Sequence, residues 1–216
     1  MCKYVVVDLE MCSVPKMVRK EKHCSSMELI QIGAVLLDEF YNIEDNFSTF
    51  VKPQYGTIDK FIQNLTGITT NDIEKAPDTK SALEAFVDWL PEDGILVSWS
   101  ENDEFQIRVE LENKNLCIPK LNKYLDRWVD CQKTFSDKMH SPKIYNLTEA
   151  LNITGIDYED GAHDALVDAH NTALLFSKME NELELNTISY YADNDIPEFS
   201  NNPFSILLEN YNLVTC

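Results

Sequence analysis

The feature that most constrains the fold is an apolar run, Tyr4–Val7, which ends in two acids spaced two residues apart, Asp8 and Glu10. The run is rich in β-branched residues, which favour a buried strand. Side chains alternate between the faces of a strand, so the two carboxylates share one face and Leu9 turns towards the core. Two carboxylates about 7 Å apart on one strand repel each other unless a cation neutralises them. The segment therefore predicts a metal site at the end of a core strand.

The rest of the pattern predicts a layered α/β domain with a mixed sheet. Beyond residues 4–10, apolar runs predict strands at Met27–Leu37, Phe47–Val51 and Ile95–Val97. The polar turn between the second and third strands is short, so these two strands should form an antiparallel hairpin. Helical patterns cover six segments: Ile58–Leu65, Asn71–Lys75, Thr79–Leu90, 101–116, Asn146–Leu151 and Asp164–Met179. Residues 11–27 have no clear period, and Val129–Phe135 fits either a strand or a helix.

The length of 216 residues predicts one domain. From residue 182 the helical pattern ends, and residues 182–216 hold six acids with no lysine or arginine. We therefore expect a domain of residues 1–181 and an acidic C-terminal extension of residues 182–216. No apolar run approaches the roughly 20 residues that span a bilayer, and the N-terminus does not resemble a secretory signal. The six cysteines lack metal-binding spacing, so we expect free thiols and a cytoplasmic protein without membrane contact.

The formal net charge of −19 argues against a protein that binds nucleic acid through a broad basic surface. An acidic protein can still act on nucleic acid if bound divalent ions and one local basic strip attract the phosphates. Residues 16–23 form such a strip, with four lysines and arginines against one glutamate. Two interpretations remain open for it: a solvated loop, or a segment that guides the substrate.

Further polar residues fall where they can meet the first acidic pair. Asp103 follows the strand Ile95–Val97 and opens the next helix, at the sheet edge where α/β proteins gather ligands. Asp168 borders the apolar arc of the last helix, so it faces the sheet more than water. Asp164 is a plausible N-cap of that helix, which leaves His163 on the loop just outside it.

Together these positions supply four carboxylates and one histidine. Hard oxygen ligands suit Mg²⁺ or Mn²⁺ better than Zn²⁺. Two such ions activate a water molecule and stabilise the leaving oxygen in phosphoryl displacement. His163 can then accept the proton of the attacking water, since its ordinary pKa of about 6.5 suits that role near neutral pH.

The ordered set of motifs resembles the DEDDh exonucleases of the ribonuclease H-like fold. The resemblance covers roughly residues 3–180, and the nearest type is the enhanced-RNA-interference and histone-mRNA 3′-end branch, which includes bacterial sporulation-pathway-inhibitor-like proteins. It rests on five single positions and two intervening segments: Asp8, Glu10, Asp103, His163 and Asp168, with 28–35 and 64–69. The fold that it implies is a central mixed five-stranded sheet flanked by helices.

The activity that the resemblance implies is 3′-to-5′ hydrolysis of phosphodiester bonds in single-stranded nucleic acid, with release of nucleoside monophosphates. Asp8, Glu10, Asp103 and Asp168 would hold two ions, Mg²⁺ or Mn²⁺, and His163 would be the general base. Leu65 and Thr66 would lie beside the terminal base and sugar. Leu9 and Trp99 complete the candidate substrate contacts, the latter through stacking on a base, although Trp99 also fits the core.

Two alternatives to an RNA exonuclease stay open. A DNA-specific proofreading-type exonuclease of the same superfamily would carry the same catalytic positions, since RNA and DNA differ by one 2′-hydroxyl. We favour RNA slightly, from the family resemblance alone. The other alternative is an exonuclease-like scaffold that regulates through protein contacts, with the acidic extension as its interaction surface.

Overall fold

The computed structural model describes residues 3–22, 24–158 and 163–185. Within them five strands form one sheet: β1 (Lys3–Ser13), β2 (Met27–Leu37), β3 (Ile43–Phe50), β4 (Gly94–Ser98) and β5 (Trp128–Asp130). The helices are α1 (Lys16–Lys22), α2 (Lys60–Thr66), α3 (Thr70–Glu74), α4 (Thr79–Trp89), α5 (Asn102–Asn113), α6 (Pro119–Leu125), α7 (Cys131–Lys138), α8 (Leu147–Thr154) and α9 (Ala165–Asn181). Most of the predicted acidic extension, residues 186–216, lies outside the described residues, as does the end of the basic strip at position 23.

The strand order is β3-β2-β1-β4-β5, with β1 at the centre. β1 pairs antiparallel with β2 and parallel with β4. β2 and β3 are antiparallel, and β4 and β5 are parallel. The mixed five-stranded sheet and the β2–β3 hairpin are therefore confirmed. No helix in the described part of the chain is both long and apolar enough to cross a membrane.

Each face of the sheet buries its own hydrophobic core. On one face Val5, Val7 and Leu9 pack with Phe86 of α4 and Ile107 of α5. On the opposite face, side chains of β1 and β2 pack with α7, α8 and α9: Val6, Val35, Phe135, Leu151 and Phe176. Fully burying one such side chain stabilises the fold by about 1.5–3 kcal/mol. Because both faces of β1 are buried, its acidic end is held rigidly.

Three local differences from the predicted elements have physical reasons. Helix α1 buries none of its side chains, so its sequence carries no apolar period. Helix α6 begins with Pro119 at its first turn and is too short to show a period. The ambiguous segment Val129–Phe135 contains both candidates: β5 ends at Asp130, whose side chain accepts a hydrogen bond from the Lys133 N–H and caps α7.

A glycine brings the start of α9 into direct contact with β2. A Cβ atom at Gly33 would lie 2.1 Å from the Ala165 carbonyl carbon and 2.2 Å from the Leu166 nitrogen, so no larger residue fits. Gln31, two residues earlier, donates to Asp164 Oδ2 and accepts from the Ala165 N–H, both at 3.3 Å. These contacts fix the first turn of α9 against the sheet beside the acidic end of β1.

Candidate active site

Strand β1 continues to Ser13, three residues beyond the predicted strand end, so Asp8 and Glu10 lie in its C-terminal half, where they face the α9 side of the sheet. Glu10 is 3% exposed, and Leu9 between the acids is 4% exposed in the opposite core. The alternation predicted from the strand period is therefore present. The Leu9 N–H donates to Asp103 Oδ1 at 3.1 Å, which ties the β1 pair to the next acid of the site.

Asp103 reaches the site from the carboxyl end of β4. It lies in the first turn of α5 and is 7% exposed. Because β4 runs parallel to β1, the chain leaving β4 emerges beside the end of β1. The structure therefore brings Asp103 to Asp8 and Glu10, as the sequence predicts.

The first turn of α9 brings His163 and Asp168 to the same place. Asp164 caps the helix, with Oδ1 accepting from the N–H groups of Leu166 at 2.9 Å and Val167 at 3.3 Å. The His163 N–H donates to Asp168 Oδ2 at 3.0 Å. His163 has a φ of +65°, a left-handed conformation that non-glycine residues adopt only when surrounding contacts hold it. The loop residue is thus fixed over the helix start.

The electrostatics of the site are dominated by unbalanced negative charge. Burial, followed by the charges of Asp103 and Glu10, raises the pKa of Asp8 well above its ordinary value. Burial and the charge of Asp168 do the same to the pKa of Glu10. Burial raises the pKa of Asp103 to about 7, even though its bond from the Leu9 N–H opposes the shift. Burial, with the neighbouring negative charges, therefore disfavours ionisation of Asp8, Glu10 and Asp103 in the absence of a cation.

These residues fit a hard divalent cation. One carboxylate oxygen of Glu10, one of Asp168 and a ring nitrogen of His163 all lie within 4.8 Å of one another. Among the described residues, the charged groups that contribute most to the pKa of Asp8 are themselves carboxylates, and each raises it further. Oxygen donors with excess negative charge are what Mg²⁺ and Mn²⁺ prefer. The arrangement can hold a metal and place a histidine beside it.

Helix α2 supplies one accessible candidate for substrate contact and one buried one. Leu65 is half-buried, so the predicted contact with a terminal base stays a prediction. Thr66 is 8% exposed and its hydroxyl donates to the Ile62 carbonyl at 2.9 Å, which leaves it little surface. Phe61, one turn before Leu65 on the same helix face, is 47% exposed and was not predicted. The sequence did contain a signal for Phe61, since an aromatic residue four positions before Leu65 lies on the same face of a helix.

The other two predicted substrate contacts lie in the hydrophobic cores. Leu9 packs among the residues of the α4–α5 side. Trp99 is 9% exposed, and its ring centroid lies 6.0 Å from that of Phe135. The side chains of Leu9 and Trp99 therefore offer almost no surface to a substrate, because they are packed in the hydrophobic cores on the two faces of the sheet. Of the two roles considered for Trp99, the structure agrees with a core residue and not with an exposed ring that stacks on a base.

Two residues of the site were missed by the sequence analysis. The Tyr158 hydroxyl donates to Asp168 Oδ1 at 2.7 Å, although nothing in the pattern around position 158 singles it out. Gln31 orients Asp164 and the start of α9, as described above. The sequence did contain a signal for Gln31, because a polar residue within the apolar run of β2 must find a hydrogen-bond partner when buried, and Gln31 is 2% exposed.

The sequence of the chain is similar to those of known exonucleases. The family profile described as Exonuclease matches residues 5–176. ERI1 exoribonuclease 2 of Danio rerio is 31% identical over 184 residues, which are 74% of this chain and 32% of that protein. The 3′-5′ exoribonuclease 1 of Homo sapiens is 28% identical over 163 residues, 70% of this chain and 46% of that protein. The chain thus spans between a third and a half of the length of these relatives.

Solved structures share the fold at lower identity. The nuclease domain of 3′hExo, a DEDDh family member bound to rAMP, has a TM-score of 0.72 and 23% identity; the match covers 86% of this chain and 96% of that one. E. coli exonuclease I in complex with a dT13 oligonucleotide has a TM-score of 0.61 and 15% identity, over 84% of this chain and 41% of that one. The expected ribonuclease H-like architecture is therefore confirmed.

Proposed function

The chain belongs to the exonuclease family, and from this premise we propose that it is a 3′-to-5′ exonuclease of single-stranded nucleic acid that prefers RNA to DNA. It hydrolyses the terminal phosphodiester bond and releases nucleoside monophosphates. The observation that carries the proposal is the convergence of carboxylates from β1, α5 and α9 with His163, of which Glu10 and Asp103 are buried and Asp8 and Asp168 half-buried. The names of the relatives, ERI1 exoribonuclease 2 and 3′-5′ exoribonuclease 1, support RNA as the substrate.

Membership of this family implies dependence on a divalent metal ion. We propose two ions, Mg²⁺ or Mn²⁺, held by four carboxylates: Asp8, Glu10, Asp103 and Asp168. Bound divalent ions at such a site lower the pKa of a water molecule and stabilise a leaving oxygen. The raised pKa values of Asp8 and Glu10 support this assignment, because a cation would relieve their mutual repulsion.

The remaining roles fall to side chains around the carboxylates. His163 accepts the proton of the attacking water, a role supported by the position of its ring beside Glu10 and Asp168. Leu65 and Phe61, on the accessible face of α2, pack against the terminal base. Helix α1 follows the carboxyl end of β1 and carries the basic strip, so it guides the phosphates upstream of the 3′ end.

We further propose that residues 1–181 form the catalytic unit and that residues 182–216 are a separate acidic extension. The family match ends at residue 176 and α9 ends at Asn181, which supports this boundary. We also propose a reducing compartment such as the cytoplasm as the site of action. Four cysteines of the described chain are free thiols, which supports it: Cys12, Cys24, Cys117 and Cys131.

Digestion of matched oligonucleotides tests the proposed function. A 5′-labelled RNA and a DNA of the same sequence are incubated with protein and Mg²⁺ or Mn²⁺, and the products are separated by length. We expect a ladder that shortens from the 3′ end, faster on RNA, and dependent on added metal.

Two variants make the digestion specific to the site. Asp8→Asn should abolish cleavage while the protein stays folded. Asp88→Asn, which removes an exposed carboxylate paired with Lys120, should leave cleavage unchanged. Full activity in Asp8→Asn would refute the assignment, and faster cleavage of DNA would reverse the substrate preference.

A further inference from the structure

Tyr158 makes a hydrogen bond to the candidate site that the proposed reaction does not use. Its hydroxyl donates to Asp168 Oδ1 at 2.7 Å, which is an ordinary length for an O–H···O hydrogen bond. Its ring is partly buried against the hydrophobic core beneath α9. The ring is therefore anchored, and the hydroxyl has one direction in which to point.

Asp168 receives bonds on both of its oxygens. Oδ1 accepts from Tyr158, and Oδ2 accepts from the His163 N–H at 3.0 Å. A carboxylate has about four lone-pair directions, so two remain for a cation. Two donors on opposite oxygens also prevent the carboxylate from rotating, which fixes where those free lone pairs point.

The two donors stand at either end of the segment 159–162. Tyr158 precedes this segment and His163 follows it, and both bond the same side chain of α9. His163 is held in a left-handed conformation at its end of the segment. Because both anchors converge on Asp168, the position of the histidine and the orientation of the carboxylate are linked.

We propose that Tyr158 is a positioning residue that, with the His163 N–H, forms a clamp on Asp168 and thereby sets the affinity of the site for its divalent ion. The inference rests on the proposed function for its view of Asp168 as a metal ligand. Hydrogen-bond partners of metal ligands orient the ligand, and their removal typically lowers metal affinity or activity about 10- to 100-fold.

A metal titration without nucleic acid tests the clamp. Mn²⁺ is titrated into the purified protein by calorimetry, and melting temperatures are recorded with and without the ion. We expect Tyr158→Phe to raise the Mn²⁺ dissociation constant about 10-fold. Cleavage assays of the same variant should show a lower kcat with little change in KM for RNA, because the substitution leaves the RNA-contacting face of α2 intact.

Tyr124→Phe is the matched control. The Tyr124 hydroxyl donates to the Pro91 carbonyl at 2.9 Å, so this variant also loses one hydroxyl bond, but on α6 at the other side of the sheet. Its metal-free melting temperature should fall about as much as that of Tyr158→Phe, while its Mn²⁺ dissociation constant should match that of the parent. A purely structural role for Tyr158 would give the same pattern in both variants.

A double variant shows whether Tyr158 acts through Asp168. In an Asp168→Asn background, Tyr158→Phe should leave the remaining Mn²⁺ binding unchanged, since the carboxylate that it orients is gone. An unchanged Mn²⁺ dissociation constant in the single Tyr158→Phe variant would overturn the clamp. A parent protein that binds Mn²⁺ but leaves RNA intact would refute the exonuclease proposal instead, so the two failures are distinguishable.

Discussion

In the described part of the chain, two groups of buried and half-buried acids differ in whether the protein supplies their cation. The structural cluster consists of Glu28, Glu110 and Lys114. The Lys114 Nζ lies 2.6 Å from Glu28 Oε1 and 2.7 Å from Glu110 Oε2, and none of the three side chains is more than 7% exposed. The candidate metal cluster, Asp8, Glu10, Asp103 and Asp168, is surrounded instead by further carboxylates.

The carboxylates of the structural cluster also accept hydrogen bonds from groups other than the lysine. Glu28 accepts from three consecutive backbone N–H groups, residues 54–56, at 2.5–2.8 Å. Glu110 accepts from the Leu29 N–H at 2.7 Å and from Gln106 Nε2 at 2.8 Å. Burial lowers the pKa of Lys114, but the two glutamates outweigh it, so the net shift is upward and the ammonium stays charged.

The two clusters differ in what they do for the protein: the structural cluster stabilises the fold, and the other lacks a cation of its own. An acid pair that carries its own lysine is complete when the chain folds, and it fastens α5 and the 54–56 loop to β2. An acid group without such a partner is destabilising until a cation arrives from solution. Burial alone therefore does not identify a metal site in this fold; burial together with missing compensation does.

The largest expected effect comes from removing the internal cation. Lys114→Met should destabilise the protein by about 3–5 kcal/mol, because Glu28 and Glu110 would remain buried without a partner. The measurement is urea unfolding of the metal-free protein. Lys120→Met, which breaks an exposed pair with Asp88, should change the unfolding midpoint little. Equal stability of Lys114→Met and the parent would contradict the distinction between the clusters.

The candidate metal cluster should respond in the opposite sense. A divalent ion at a hundredfold excess over its dissociation constant should stabilise the parent by about 2.7 kcal/mol. Metal-free Asp8→Asn should melt no lower than the metal-free parent, since it removes one of several repelling charges, and it should lose most of the metal-induced gain. Thermal melts in Mn²⁺ and in chelator measure both. A clearly lower metal-free melting temperature would mean that Asp8 is structural.

The third effect is a pH dependence. The pKa of Asp103 is raised from an ordinary 3.8 to about 7, so between those values the native state holds a proton that the unfolded state has released. Stability that this group supplies at low pH is therefore lost as pH rises from about 4 to about 7. The metal-free parent should lose more stability over that range than Asp103→Asn, as urea unfolding at several pH values would show. Parallel pH profiles would contradict the shift.

The smallest expected effect concerns Asp164, where substitutions can distinguish its role as helix cap from the effect of its charge on the neighbouring acids. Its charge adds to the raised pKa values of Asp8 and Glu10, yet its oxygens are engaged by α9 and Gln31. Asp164→Ala should destabilise the protein by about 1 kcal/mol through loss of the cap. Asp164→Asn keeps the capping oxygen and removes the charge, so it should equal or slightly exceed the parent in metal-free stability. If Asn is as damaging as Ala, the charge itself matters to the fold.

The side chains of the candidate metal cluster could be picked out from the sequence more easily than those of the structural cluster. Asp8 and Glu10 follow from strand alternation, and Asp103 and Asp168 from their places at element starts, all of which are local patterns. The Glu110–Lys114 pair has the i,i+4 spacing of a helix pair, but that spacing is usually found on exposed faces. Its burial depends on Glu28, which arrives from β2 through tertiary packing. The hydrogen bond of the Tyr158 hydroxyl could not be predicted from the sequence either, because it also depends on tertiary packing.

The contact at Gly33 has a consequence for how this protein tolerates change. A hydrogen atom in place of a methyl group there sets the spacing between the sheet, which carries Asp8 and Glu10, and the helix, which carries Asp168. Gly33 is also the cross-strand partner of Asp8, so this spacing is set beside the candidate site itself. A side chain at Gly33 would push the start of α9 away from β2 and separate Asp168 from Asp8 and Glu10.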